Sequence, residues 1–167
     1  MQIRPERPED IAAIRMVHET AFGNSAEAHL VDALRLQAQP IISLVADVDA
    51  IIAGHILFMP VTLMPHPDMK IMGLAPMAVL PSRQRHGIGS TLVRTGLDEC
   101  QWLGVSVVVV LGHASYYPRF GFRPASTFGL TSQFNVPDDV FMALEMSAGI
   151  LRGKRGTIRY HPAFASV

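Results

Sequence analysis

The chain has 167 residues, a length typical of one domain, and 49% of its residues are hydrophobic. Charged residues make up 17%, a share that, with this hydrophobic content, excludes a disordered chain. Fourteen basic and fourteen acidic side chains cancel, so no net charge favours nucleic acid or an anionic membrane as a partner. We expect a single domain over residues 1–167, with residues 150–167 forming a C-terminal extension or a small hairpin.

The cysteine content and the apolar runs indicate the compartment. Cys100 is the only cysteine, so an internal disulfide is excluded, and no apolar run reaches the roughly 20 residues that span a bilayer. The N-terminal residues do not resemble a signal peptide. We therefore expect a cytoplasmic protein without a membrane partner.

The first predicted elements are two helices. Pro8, Glu9 and Asp10 suit a first helical turn, and apolar residues recur at helical spacing until Gly23 ends the helix. Ser25 is positioned to cap a second helix, whose apolar face consists of Leu30, Val31 and Leu34.

A set of strands follows. Residues 41–48 and 51–59 are β-branched, apolar runs separated by Asp49 and Ala50, a pattern that predicts an antiparallel hairpin. Residues 60–67 are predicted to be a loop because prolines stand at both ends. A third strand is predicted over residues 70–80, with a bend at Pro76.

The central part of the sequence predicts a parallel crossover. Residues 90–103 have one apolar helical face, and Gly104 follows as a helix terminator. Residues 105–111 are continuously apolar, as in a strand covered on both faces. Together with the third strand they form a right-handed strand–helix–strand unit, and a late strand is predicted over residues 140–146.

The connection into this third helix has the composition of a phosphate-binding loop, Gln84-Arg85-His86-Gly87-Ile88-Gly89-Ser90. The first backbone N–H groups of a helix have no intrahelical acceptor, and the helix dipole adds positive potential there. Gly87 and Gly89 allow close approach of a ligand, while Arg83, Arg85 and His86 add cationic or protonatable groups. The loop therefore predicts a phosphorylated ligand.

Two familiar phosphate-binding motifs do not match this loop. A P-loop requires Gly-Lys-Ser/Thr, whereas Gly89 is followed by Ser90 and Thr91 without a lysine. The dinucleotide-binding fingerprint requires a third small residue where this chain has Leu92. What remains is Gln-x-x-Gly-x-Gly after an apolar strand.

At this point the chain resembles the GNAT superfamily of acyl-CoA-dependent N-acetyltransferases, whose motif is Gln/Arg-x-x-Gly-x-Gly/Ala after a bulged strand. A second marker of that family is an aromatic pair, three further residues and Gly-Phe. Tyr116-Tyr117-Pro118-Arg119-Phe120-Gly121-Phe122 matches it. The resemblance extends from Ile3 to Glu145, with one departure at Val110, where many members carry Asn.

The resemblance implies an α/β (α+β) fold: a central mixed, mostly antiparallel sheet with the parallel crossover described above and helices on both faces. It implies acetyl-CoA as donor without a metal, a primary amine of a small molecule or peptide as acceptor, and direct attack in a ternary complex. A homodimer is compatible with this fold. The alternatives are a CoA-binding sensor of the same fold with little catalytic activity and a domain of this fold that uses another acyl-CoA.

The resemblance also assigns residues. Tyr117 corresponds to the tyrosine that protonates the departing thiolate, whereas Tyr116 is expected to be the structural tyrosine under the Phe120–Phe122 turn. Cofactor binding falls to backbone groups of Met77, Ala78 and Val79 and to the loop residues Gln84, Arg85, His86, Gly87, Ile88, Gly89 and Ser90.

No residue stands out as the base that deprotonates the amine. Six side chains are candidates, and none is preferred over a structural role: Glu19, Glu27, Glu145, His18, His55 and His113. The acceptor pocket is expected between the first two helices, the 60–67 loop and the late strand near Phe141. Because these segments are mostly apolar, a modest amine is favoured over a polycation.

Overall fold

Three helices and nine strands occur in residues 1–166, the part of the chain that the computed structural model describes. The helices are α1 (Ile11–Phe22), α2 (Ala26–Gln37) and α3 (Ile88–Trp102). The strands are β1 (Gln2–Pro5), β2 (Ile42–Val48), β3 (Ile51–Met64), β4 (His66–Val79), β5 (Val107–Leu111), β6 (Arg123–Pro124), β7 (Leu130–Ser132), β8 (Phe141–Glu145) and β9 (Gly156–Arg159). The strand pairing is mostly antiparallel, with a parallel β4–β5 pair, so the predicted fold class is confirmed.

The chain divides into two compact units, and β3 and β4 each contribute residues to both. The first unit comprises Met1–Met59, Ala75–Glu99 and the C-terminal residues from Pro162. The second comprises Pro60–Leu74 and Cys100–His161. Within residues 1–166, no helix has both the length and the apolar composition of a membrane span.

In the first unit, β1 and β2 pair antiparallel, β2 and β3 form the predicted hairpin, and β4 follows β3 in the sheet. Asp49 and Ala50 have φ angles of 52° and 64°, which is the turn geometry that suits the twist of a two-residue hairpin. β1 was not predicted, because four residues ending in proline carry no alternating pattern. Its pairing with β2 is what makes it a strand.

The end of α1 agrees with the prediction, and the cap of α2 differs from it. Gly23 takes the left-handed conformation, with φ of 76°, and ends α1. At the start of α2, Ser25 makes no capping hydrogen bond, and the Asn24 side-chain oxygen accepts from the Ala26 N–H at 2.9 Å instead. Asn24 therefore replaces Ser25 in the predicted capping role.

Small residues allow close packing inside the first unit. A Cβ on Gly54 of β3 would lie 3.1 Å from side-chain atoms of both Ile88 and Leu92 in α3. A Cβ on Gly96 of α3 would overlap the ring of Phe58. Helix α3 begins at Ile88, two residues before the predicted start, and this contact with β3 fixes its first turn.

The predicted 60–67 loop is wrong. β3 continues to Met64 and β4 begins at His66, so both strands are 14 residues long. Within the second unit, Thr62–Met64 pair with Thr157–Arg159 of β9. Because this partner lies about 95 residues further along the chain, the local sequence, with prolines at its borders, does not reveal the strand.

The second unit contains the parallel pair of the predicted crossover. Ile71–Leu74 of β4 pair with Val107–Val110 of β5, and β5 pairs antiparallel with β8. The segment 150–160 does not form a hairpin of its own. Its strand, β9, pairs antiparallel with β3 and parallel with β7. The backbone hydrogen bonds of β9 are therefore made to other strands and not within the segment.

Candidate functional site

The connection between β4 and α3 lies in the first unit and turns through two residues of positive φ. Arg85 has φ of 64° and Gly87 has φ of 82°. Positive φ is easy for glycine but costs a residue with a Cβ about 1 kcal/mol. The chain enters α3 directly after Gly87, and both the N–H and the side-chain hydroxyl of Thr91 bond to the Gly87 carbonyl, at 3.0 and 2.8 Å. Backbone conformation therefore shapes the start of this helix.

Two polar side chains of the loop stabilise its backbone. The Gln84 amide donates to the Val79 carbonyl at 3.1 Å, and His86 Nδ1 donates to the Arg83 carbonyl at 3.2 Å. Gln84 thus joins the end of β4 to the loop. In this arrangement its side chain has a positioning role, in addition to any ligand contact the motif implies.

The start of α3 has a positive electrostatic environment. Arg85 and His86 are exposed, Arg83 is half-buried, and the first helical turn contains no acidic residue. Across residues 1–166, neither Arg83 nor Arg85 forms an ion pair. The helix dipole adds to these charges, so an anionic group would be stabilised here.

Met77, Ala78 and Val79 form the last part of β4, beyond the residues that pair with β5. The parallel ladder covers Ile71–Leu74, after which β4 continues through Pro76 into the first unit. There the Leu80 N–H donates to the Ala53 carbonyl of β3 at 2.8 Å. This end of β4 therefore has β3 as its neighbour within the first unit.

Tyr117 lies in the second unit, at the start of a single 3₁₀ turn, Tyr117–Phe120. Only 6% of the residue is exposed, and its ring packs edge-on against Phe122 with centroids 5.7 Å apart. Burial, with a smaller effect of Tyr116, raises the pKa of the Tyr117 phenol well above its usual value. The phenol therefore retains its proton throughout the neutral range and can act as a donor.

Gly112 makes room for Tyr117. A Cβ on Gly112 would overlap the Tyr117 ring, so the ring lies against the backbone just after β5. The sequence analysis did not identify Gly112 as a site residue. The available signal was a glycine directly after the apolar run 105–111, which by itself indicates only the end of a strand.

Both tyrosines pack at the Phe120–Phe122 turn, and Tyr117 is the more buried of the two. Tyr116, predicted to be wedged under this turn, is half-buried: its ring packs edge-on against Phe120 with centroids 5.4 Å apart, and the Arg119 guanidinium lies 4.4 Å from its ring centroid. Tyr117 is the tyrosine packed against Phe122. The 3₁₀ turn decides which ring points inward, and the sequence pattern of two adjacent tyrosines does not specify it.

His18, His55 and Glu145, three of the six candidate bases, have hydrogen-bond partners within the protein. His18 Nε2 and His55 Nδ1 share a hydrogen bond of 2.9 Å, and His55 Nε2 bonds to the Ser43 hydroxyl at 2.8 Å. The Glu145 carboxylate accepts the N–H groups of Gly149 and Leu151 at 3.2 and 2.9 Å. These contacts favour structural roles for both histidines and for Glu145.

The comparison with known proteins decides the family. Residues 2–125 match a family model described as an acetyltransferase (GNAT) domain. This chain belongs to the GNAT family. Among curated relatives, it is 42% identical over 134 residues to the uncharacterized N-acetyltransferase YjhQ of Escherichia coli K12, which covers 78% of this chain and 74% of YjhQ. It is 33% identical over 165 residues to the uncharacterized N-acetyltransferase YhbS of the same strain, covering 98% of each.

Two solved structures of GNAT proteins are similar over nearly the whole chain. The structure of E. coli YhbS, in complex with CoA, has a TM-score of 0.91 at 31% identity and covers 98% of this chain and 91% of that one. A GNAT acetyltransferase from Brucella melitensis, in complex with acetyl-CoA, has a TM-score of 0.81 at 38% identity and covers 98% and 97%. This GNAT protein therefore has the fold of relatives that were solved with the acyl donor or its product.

Proposed function

We propose that this GNAT protein transfers an acetyl group from acetyl-CoA to a primary amine of a small molecule or peptide, by direct attack in a ternary complex. The observation that carries the proposal is the loop at Gln84–Ser90, which leads into α3 with the positive φ angles and cationic side chains described above. Its membership of the family and its similarity to proteins solved with CoA and acetyl-CoA support the same conclusion.

The donor binds through backbone groups in this proposal. The N–H groups at the start of α3, around Gly87, Ile88, Gly89 and Ser90, hold the pyrophosphate, and the side chains of Arg85 and His86 add positive charge. Backbone groups of Met77, Ala78 and Val79 hold the pantetheine arm and the carbonyl oxygen of the thioester. No side-chain chemistry is required at those three positions, which agrees with their apolar character.

Tyr117 is the one protein group that donates a proton in the proposed reaction. The neutral amine nitrogen attacks the thioester carbonyl and then releases its extra proton to water. The tetrahedral intermediate collapses, the C–S bond breaks, and the thiolate takes the Tyr117 phenol proton. An alkyl amine with a pKa of about 10.4 is less than about 0.1% neutral at pH 7, so the amine must first release a proton, in this proposal to water. The phenol is then reprotonated from solvent.

The substitution Tyr117→Phe tests the proposal. It removes the proton donor while keeping the ring that packs against Phe122, so we expect turnover to fall by about 100-fold or more. The affinity for CoA, measured by calorimetry, should stay within about twofold. The matched control is Tyr116→Phe, which should change neither quantity substantially.

Each alternative gives a different result in these measurements. Equal turnover of the wild type and Tyr117→Phe would remove Tyr117 from the donor role. Absence of CoA binding at millimolar ligand would overturn the donor site at Gln84–Ser90. Tight CoA binding without thiol release across a panel of amines would instead identify a CoA-binding sensor.

A further inference from the structure

A cleft of about 420 Å³ lies entirely within the second unit, along the segment between β6 and β8. Its volume is in the range of small-molecule sites. Apolar side chains contribute much of its wall, including Leu130 and Phe141, which are 2% and 4% exposed. Polar side chains line the rest of it, so the cleft is amphipathic.

Several polar groups of the segment hold its shape. The Ser132 hydroxyl accepts the Phe134 N–H at 3.0 Å, and the Gln133 side-chain oxygen accepts the Tyr160 N–H. The Gln133 N–H donates to the Ile158 carbonyl at 3.1 Å, and the rings of Phe134 and Tyr160 lie 5.4 Å apart. The wall formed by residues 132–134 is therefore attached to β9 and its C-terminal extension.

The charge of the cleft comes from one side chain. Asp138 is the sole charged residue among those lining it, and Asp138 forms no ion pair with any residue in 1–166. The neighbouring wall residues Val136 and Phe141 are apolar. A carboxylate beside apolar walls is complementary to an alkylammonium ion, which carries one positive charge on an apolar body.

The cleft wall and Tyr117 both border the end of β5. Phe141, a lining residue, pairs with Leu111 at the end of β5, and the Gly112 N–H donates to the Val140 carbonyl at 2.9 Å. The Tyr117 ring lies against Gly112. The end of β5 therefore contacts the cleft wall on one side and the proposed proton donor on another, all within the second unit.

We propose that this cleft is the acceptor subsite and that it selects an amine with an apolar body that is positively charged in solution. Asp138 attracts and orients the ammonium group, which releases a proton to water before its nitrogen attacks, and the apolar wall formed by Leu130, Val136 and Phe141 holds the body. One carboxylate matches one positive charge, so a polycation is disfavoured. This proposal rests on the proposed function, because it names the acceptor class of the same reaction.

Phenethylamine and its neutral isostere 2-phenylethanol are suitable probes, with binding followed by ligand-observed NMR on the full chain. We expect Asp138→Asn to raise the Kd of phenethylamine by about three- to fivefold, as for a partly solvated ion pair. The Kd of 2-phenylethanol should not change. The matched control is Asp139→Asn, because Asp139 has the same charge but does not line the cleft.

Acetyl transfer provides the second measurement. With Asp138→Asn, the KM for phenethylamine should rise by the same factor, while kcat and the KM for acetyl-CoA stay unchanged. Equal effects of Asp138→Asn and Asp139→Asn, or no preference for the amine over the alcohol, would overturn the subsite. If phenethylamine binds in a manner dependent on Asp138 but no amine is acetylated, the proposed reaction fails and the cleft remains a cation site.

Discussion

Tyr117 depends on its neighbours for its position, and Gly112 is one of them. The side chain is held by the Phe122 ring, by the 3₁₀ turn that it begins, and by the absence of a Cβ at Gly112. The same burial raises the pKa of the phenol. A change at Gly112 should therefore act on Tyr117 without removing any functional group.

The substitution Gly112→Ala tests this dependence. The added methyl group overlaps the Tyr117 ring, so we expect kcat to fall by at least about tenfold and the free energy of unfolding to decrease by about 1–3 kcal/mol. Affinity for CoA should be retained. Steady-state kinetics and urea unfolding measure the two effects.

Ser115→Ala, at an exposed position nearby, is the control and should be neutral in both measurements. An unchanged kcat in Gly112→Ala would mean that the ring can relocate without functional cost. In that case the contact with Gly112 would be one of packing alone.

At the scale of elements, turns and helix ends that depend on adjacent residues were predicted well, and strand pairing between distant segments was not. The Asp49–Ala50 hairpin, the end of α1 at Gly23 and the glycine loop before α3 are each specified by a few adjacent residues. The extension of β3 and the pairing of β9 with it join segments that are far apart along the chain. Prolines at 60 and 67 predict a loop locally, but the ladder with β9 outweighs that preference.

The hairpin turn allows a quantitative test. Ala50 is exposed and has φ of 64°, a conformation that costs a residue with a Cβ about 1 kcal/mol. We expect Ala50→Gly to raise the free energy of unfolding by about 0.5 kcal/mol, because the relief of strain exceeds the added entropy of the unfolded chain. Urea unfolding measures the change.

The control for the hairpin is the same substitution in a helix. Ala12→Gly, at an exposed position of α1, should lower the stability by about 1 kcal/mol. A loss of stability in Ala50→Gly as well would show that the turn is not strained.

At the scale of the whole molecule, a buried histidine pair links the free energy of unfolding to pH. His18 and His55 are both 0% exposed and joined by a hydrogen bond, and within residues 1–166 no partner reaches His18 Nδ1. Burial, and then the Arg35 charge, lower the pKa of His18 to about 4. Burial, then His18 and Arg35, lower the pKa of His55 well below its usual value. The native protein therefore holds both rings neutral.

This neutrality predicts acid sensitivity in a defined window. Unfolded histidine has a pKa of about 6.5, so below that pH the unfolded chain binds protons that the native protein does not, and stability falls as pH decreases towards 4. Between pH 7 and pH 4.5, the contribution of His18 alone is a loss of about 2 kcal/mol. Urea unfolding between pH 7 and pH 4.5 measures it.

Two controls separate this effect from others. The double variant His18→Gln/His55→Gln should flatten the pH dependence, whereas His29→Gln, at an exposed position, should leave it unchanged. Asp10, whose pKa is lowered chiefly by its hydrogen bond to Arg4, contributes stability that is lost only below its unfolded value of 3.8. A wild-type curve that is flat from pH 7 to 4.5 would contradict the histidine assignment.

The sequence by itself determined the family, the parallel crossover and the loop before α3, because each depends on motifs or periodicities within a few tens of residues. The tertiary structure decided which tyrosine points inward, where β3 and β4 end, and which strands β9 joins. It also brought His18 to His55 and formed the cleft beside Asp138. These features arise from contacts between segments that are distant in the sequence. The free energy of such contacts depends on packing and burial, which a local sequence pattern does not specify.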